Sequence, residues 1–226
     1  MADVFAPKKN SYQFSVSFGQ PRNVKGRVYM SPTELKHLIP AAFLIIGIGF
    51  SIVFYNQFFG GTFLDWSLIE ISVFAVLLTA SFLIHEMAHK ITAQLRGMWA
   101  EFRLTKWGAV ITLISVFTPL RLISPGAVMI SGPAKLKEIG EISIAGPFTN
   151  VSLALVFLAA EGLVPVSSPF ASMLLLLASF NAFIAVFNLI PFGIFDGLKI
   201  FHWNKAVWAV AFAASAALTV YTYLIV

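Results

Sequence analysis

Six stretches of at least fourteen residues in this chain contain no Asp, Glu, Lys or Arg: His37–Leu64, Ile71–Ile84, Trp107–Leu120, Ile142–Ala160, Gly162–Phe195 and Ala206–Val226. About 20 apolar residues in helical form cross a bilayer core, where only a helix or a closed barrel satisfies its own backbone hydrogen bonds. The 226 residues are 58% hydrophobic and 11% charged, with a mean hydropathy of +0.86. A soluble domain carries about 25% charged residues, so that class is excluded. The chain reads as an all-α polytopic membrane protein of five to six transmembrane helices, five of them expected at roughly 38–58, 67–95, 143–161, 169–190 and 206–225.

The stretch Gly108–Ile130 breaks this pattern. It holds Thr112, Ser115, Thr118, Pro119, Arg121 and Pro125-Gly126, and is rich in β-branched residues. A re-entrant segment or small membrane-embedded sheet fits it better than a sixth span. Ser31-Pro32-Thr33-Glu34 reads as a capping box opening the first helix, with Glu34 reaching back to the cap. Pro40 is expected to perturb that helix early. Upstream, Tyr12–Phe18 alternates apolar and polar like a short strand, and Met1–Lys36 is polar and mixed, without the early apolar core of a cleavable signal peptide.

Basic residues orient the chain. Lys8, Lys9, Arg22, Lys25, Arg27 and Lys36 precede the first helix; Lys90, Arg96, Arg103 and Lys106 follow the second. Lys135 and Lys137 precede the third, and Lys199 and Lys205 separate the last two. The opposite loops, Asn56–Ser67 and Glu161–Ser168, carry Asp65 and Glu161 but no Lys or Arg. The expectation is a multi-pass integral protein of the cell membrane with a cytoplasmic N-terminus. This charge bias accounts for the pI near 9.6, so no nucleic-acid partner is implied. The lipid bilayer is the implied partner.

One polar cluster stands at the end of an apolar run: His85-Glu86-Met87-Ala88-His89. Histidines four apart lie on one helical face, so both imidazoles reach one metal ion, and the glutamate between them is placed to deprotonate a water activated there. Ionisable groups at membrane depth mark function. His85 lies fifteen residues from Glu70, roughly 22 Å at 1.5 Å per residue, which puts the site nearer the cytoplasmic side. With no cysteine, a metal must be held by His, Asp or Glu. Zinc needs a third protein ligand. The best candidate is Asp196, in the segment Asn188 through Gly197, where Pro191 ends a helix and Gly193 and Gly197 allow turns. The bland reading of Asp196-Gly197 is a surface turn.

These residues resemble the site-2 protease family of intramembrane zinc metalloproteases, which carry His-Glu-x-x-His on one transmembrane helix and Asn-x-x-Pro…Asp-Gly later. Ser124-Pro125-Gly126-Ala127 and Ala145-Gly146-Pro147-Phe148-Thr149-Asn150 extend the resemblance, which covers about Leu68 to Gly197. It departs at Ala88 and Leu198, where glycines are common, and Ala93–Glu141 is too short for a PDZ domain; the compact prokaryotic type is implied. The chain then divides into a cytoplasmic segment, 1–36, and a membrane-embedded metalloprotease domain, 37–226, with its core at 68–197.

The resemblance implies one Zn2+ per chain held by His85, His89 and Asp196, with Glu86 as general base and Asn188 bonding the substrate backbone or developing oxyanion. Asn181, seven residues before Asn188 and on its face, Asn150 and Gly126 are expected substrate contacts. Asn150 and Asn181 also read as ordinary interhelical glue, and Gly146-Pro147 as a close-packing device. The implied activity is hydrolysis of peptide bonds in or near transmembrane segments of other proteins (regulated intramembrane proteolysis). Two rivals stand beside it. A prenyl-protein type of membrane zinc protease needs a downstream Glu ligand, and Glu161 falls on the wrong side. An inactive relative acting as a membrane-protein binder or chaperone has no need of Glu86. Oligomeric state is left open.

Overall fold

Why the apolar runs become helices is visible at their ends. The computed structural model describes residues 27–59, 66–118 and 123–225, with backbone alone for 52–59. The first helix, α1, is Pro32–Phe59. Ser31 caps it by accepting the Glu34 N–H at 3.1 Å. Helix α2, Leu68–Leu95, opens on a full capping box: Ser67 accepts from the Glu70 N–H, and the Glu70 carboxylate accepts from the Ser67 N–H at 2.6 Å. Then follow strand β1 (Trp99–Leu104), a short helix α3 (Lys106–Ser115), strand β2 (Gly126–Ser131) and helices α4 (Leu136–Glu161), α5 (Pro169–Asn188), α6 (Asp196–Trp203) and α7 (Lys205–Ile225). Among the described residues five helices, α1, α2, α4, α5 and α7, are long and apolar enough to cross a membrane, and there is one small sheet. The protein is helical and polytopic.

Several expectations change in detail. Helix α1 runs through Pro40 unbroken, since one missing ladder donor does not outweigh a helix of this length. Glu34 does not reach back to its cap. Its carboxylate is fully buried between α2 and β1, where Lys90 Nζ donates to it at 2.6 Å and the Phe102 N–H at 3.0 Å. Helix α4 begins at Leu136, well before residue 143, because Lys137, Glu138 and Glu141 ride on its exposed first turns. Among the described residues of 108–130 no helix is long enough to cross a membrane: α3 is ten residues long, and β2 begins at Gly126. Its partner strand, β1, lies in the stretch read as a basic loop. The alternation at 12–18 lies outside the described residues.

The two strands pair antiparallel, Trp99 opposite Ser131, Phe102 opposite Val128 and Leu104 opposite Gly126. The outer edge of β1 is closed by side chains: Glu34 takes the Phe102 N–H and Gln94 donates to the Ala100 carbonyl at 2.8 Å. Helix α2 is the hub, packing against α1, α4, α5 and both strands. Its apolar contacts join Ile45 and Ile48 of α1, Phe74, Leu78 and Phe82 of α2, Phe102 of β1 and Leu177 of α5. Lipid tails are as apolar as leucine, so packing density rather than water exclusion holds such helices together. At Gly49 a Cβ would lie 2.6 Å from the Ala75 backbone, so only glycine permits that α1–α2 approach.

The Glu34–Lys90 pair ties α1, α2 and the sheet in one place. Removing one member of a buried pair leaves an uncompensated charge. Glu34→Ala is therefore expected to destabilise the fold by about 3–5 kcal/mol, read by unfolding in detergent. Arg96→Ala, which breaks the half-exposed Arg96–Glu141 bridge, should change far less.

Candidate metal centre

Helix α2 presents His85, Glu86 and His89 to the interior, 3%, 8% and 7% exposed. The two imidazoles sit one turn apart, with Nε2 atoms 3.1 Å from each other. Asp196, the first residue of α6, brings its Oδ2 to 3.0 Å from His89 Nε2. The three ligand atoms lie within 4.8 Å of one another. The sequence therefore predicted a set of three side chains that the fold does bring together.

Local backbone makes the Asp196 approach possible. Helix α5 ends at Asn188, and Gly193 turns the chain with a φ of +60°, a conformation that disfavours a Cβ. Gly197 packs against the Leu189 carbonyl so closely that a Cβ would lie 2.1 Å from its oxygen. Trp208 of α7 donates its indole N–H to that same carbonyl at 2.8 Å. Lys199 Nζ donates to Oδ1 at 3.1 Å, leaving Oδ2 for the histidines.

The donor set fits a zinc ion. His89 Nδ1 meets the Ile142 carbonyl at 2.8 Å. A carbonyl only accepts, so Nδ1 carries the hydrogen, and in the neutral ring Nε2 is the lone pair left for a metal. That lone pair then faces a carboxylate oxygen, an arrangement that is repulsive until a cation lies between them. Gly146 of α4 leaves the needed room: a Cβ there would sit 2.2 Å from His89 Nε2 and 2.6 Å from His85 Nε2. Two imidazoles and one carboxylate are a donor set that zinc takes in catalytic sites.

Glu86 lies beside this set and accepts the Val128 N–H of β2 at 3.1 Å. A cavity of about 530 Å³ opens over the three ligands and Glu86, walled by apolar side chains such as Phe82, Ile111, Phe183 and Phe187. Asn188 lines it, with its amide nitrogen bonded back to the Ile184 carbonyl at 2.9 Å. Gly126 lines it too, at the start of β2, where a Cβ would meet the Arg103 carbonyl at 2.4 Å. Asn150 and Asn181 are fully buried and outside the cavity wall. Asn150 bonds His85 Nδ1 and donates to Asn181 at 2.8 Å. Glu161 ends α4 fifteen residues past Gly146, roughly 22 Å along the helix, too far to be a ligand.

Three contributors escaped the sequence reading. Lys199 was counted only as a topological charge, although its i+3 spacing from Asp196 was a usable signal. Gly146 was read as a packing residue, and what it packs against is the imidazole pair. The Ile142 carbonyl carries no sequence signal at all, being backbone.

The geometry defines a metalloprotease-type centre, two histidines with a glutamate between them and a distant aspartate, set among membrane-length helices. A protein of Methanocaldococcus jannaschii with the curated name "Putative zinc metalloprotease" is 34% identical to this chain over 152 residues, 65% of this chain and 78% of that protein. The chain belongs to the zinc metalloproteases of the site-2 protease type. No protein-family model matches it, and no solved structure does.

Gly146→Ala fills the space between the imidazoles with a methyl group. It is expected to weaken zinc binding by at least about tenfold, the scale on which lesions around a metal site act. Equilibrium dialysis with metal analysis checks this, with helix content monitored in parallel.

Proposed function

We propose that this protein is an intramembrane zinc endopeptidase that hydrolyses peptide bonds in or near transmembrane segments of other membrane proteins. The observation that carries the reading is the His85–His89–Asp196 convergence with Glu86 beside it, in an apolar cavity walled by helices of membrane-spanning length. Zinc held there supplies Lewis-acid polarisation of the scissile carbonyl and activation of water. Glu86 takes the proton from that water and delivers it to the leaving amine. Its bond to the Val128 N–H fixes the carboxylate against β2, so the base is aimed by the sheet rather than by α2 alone. Asn188 offers the second hydrogen of its amide to the substrate carbonyl or the developing oxyanion.

A transmembrane helix hides its carbonyls in its own ladder, so the substrate must unwind locally. Strand β2 suits such a segment. Phe102 turns its N–H away from the sheet, so its partner Val128, and with it Gly126 and Ile130, present N–H and C=O groups on the opposite edge. These three residues line the cavity, and an extended peptide laid along them gains main-chain hydrogen bonds. The basic flanks support a cytoplasmic N-terminus in a multi-pass protein of the cell membrane, and the position of His85 along α2 supports a site towards the cytoplasmic side. The proposed partners are transmembrane protein substrates within the lipid bilayer. An inactive binder or chaperone has no use for a glutamate held against a metal cradle.

Glu86→Gln should retain zinc and lose cleavage of a membrane-embedded peptide by about 10²–10⁴-fold, the usual contribution of a positioned base. Asp196→Ala should lose both zinc and cleavage. A fully active Glu86→Gln protein would end the assignment of the base. At the sheet edge, Ile130→Pro removes one outward N–H without breaking the ladder to β1. It is expected to raise KM about 2–10-fold, the worth of one hydrogen bond, with zinc content unchanged; unaltered cleavage kinetics would exclude strand addition.

A further inference from the structure

We infer that Asn150 and Asn181 are positioning residues: a chain of hydrogen bonds through them sets the polarity of His85, holding its hydrogen on Nδ1 and leaving Nε2 bare for the metal. The inference rests on the zinc reading of the site, and it gives both asparagines a role other than touching substrate.

The polarity follows from donors and acceptors alone. Asn181 meets the Leu177 carbonyl at 2.9 Å and the Ser81 hydroxyl at 3.1 Å through one and the same side-chain atom. A carbonyl can only accept, so that atom is the amide nitrogen. Ser81 spends its own hydrogen on the Leu77 carbonyl at 2.9 Å, so towards Asn181 it too can only accept. The other Asn181 atom is then the oxygen, and it faces Asn150 at 2.8 Å. Asn150 must answer with its nitrogen, which turns its oxygen to His85 Nδ1. That oxygen accepts, so Nδ1 carries the hydrogen. Two helix carbonyls, Leu77 on α2 and Leu177 on α5, thereby dictate which imidazole nitrogen is free.

Burial makes the arrangement rigid. Asn150 and Asn181 are 0% exposed and Ser81 is 1% exposed, so no water can compensate a flipped amide. Turning Asn181 over would set its oxygen against the Leu177 carbonyl and the Ser81 lone pairs. The two histidines reach one outcome by different routes. His89 is held directly by the Ile142 main chain; His85 is held by the Asn150 side chain, itself set by Asn181, with the Gly146 main chain beside it. The result is three acceptors, two Nε2 atoms and Asp196 Oδ2, aimed at one point in low dielectric. Outer partners of this kind fix ring orientation and raise ligand basicity.

The full chain in detergent, with ¹⁵N-labelled histidine, tests this directly, because only four histidines contribute. In metal-free wild type, His85 should show its hydrogen on Nδ1. Zinc affinity, measured by chelator competition, should fall about 10–100-fold in Asn150→Ala, with a mixed His85 tautomer. Asn150→Asp keeps the acceptor for Nδ1 and should recover part of that loss. Ser81→Ala should leave affinity within about twofold, since the Leu177 carbonyl still sets the direction. A wild-type spectrum with hydrogen on Nε2 overturns the inference, as does an Asn150→Ala protein with unchanged zinc affinity and only a raised KM. The wild-type spectrum decides the matter even if variants fail to fold. If wild type carries the Nδ1 hydrogen yet binds no zinc, the relay stands and the zinc reading falls.

Discussion

Two imidazole nitrogens and a carboxylate oxygen brought within 4.8 Å of one another in a buried, apolar setting are the constraint around which this fold is arranged. Acceptors repel at that distance, and the repulsion is unscreened where water is scarce. The arrangement is sustainable because everything behind the ligands is oriented. His89 leans on a main-chain carbonyl, His85 on the Asn150–Asn181 chain, and Asp196 on Lys199. Opposite them, α4 offers only a glycine hydrogen, at Gly146. The site is a space kept open by a missing methyl group and lined by lone pairs.

The surrounding elements divide the labour of holding that space. Helix α2 carries the histidines and Glu86, and α4 packs against it to supply Gly146 and Asn150. The broken connection from α5 to α6 delivers Asp196, and α7 pins it through Trp208. The sheet works from both of its edges. Along β1, Glu34 and Gln94 close the hydrogen-bonding groups and anchor the sheet to α1 and α2. Along β2, Val128 steadies Glu86 and its neighbours stay open to the cavity.

Hydrogen-bond polarity transmits information here without any moving part. Serine and asparagine side chains within apolar helices usually serve as interhelical glue, and Asn181 does join α5 to α2 through Ser81. Because each link has one donor and one acceptor sense, the same bonds also fix a proton on an imidazole two residues away in the chain of contacts. Packing and metal-site orientation are served by one set of atoms. That economy suits a membrane interior, where every buried polar group needs a partner.

Much of this was legible in the chain. The five membrane-length helices followed from uncharged runs, since a bilayer accepts little else, while the start of α4 and the short α3 and α6 did not. The His-Glu-x-x-His spacing put two imidazoles on one face because a helix repeats every 3.6 residues. Asp196 was readable as a third ligand because Pro191 and the flanking glycines mark a backbone break at depth. These are local facts, carried by periodicity and composition. What only the folded structure decided is non-local: that β1 pairs with β2, that Glu34 leaves its cap for Lys90, that Gly146 faces the imidazoles, and that Asn150 and Asn181 stand behind His85 outside the cavity. A residue's letter specifies its donors, acceptors and bulk, but which partner meets them depends on how distant segments are brought together, and no spacing along the chain encodes that.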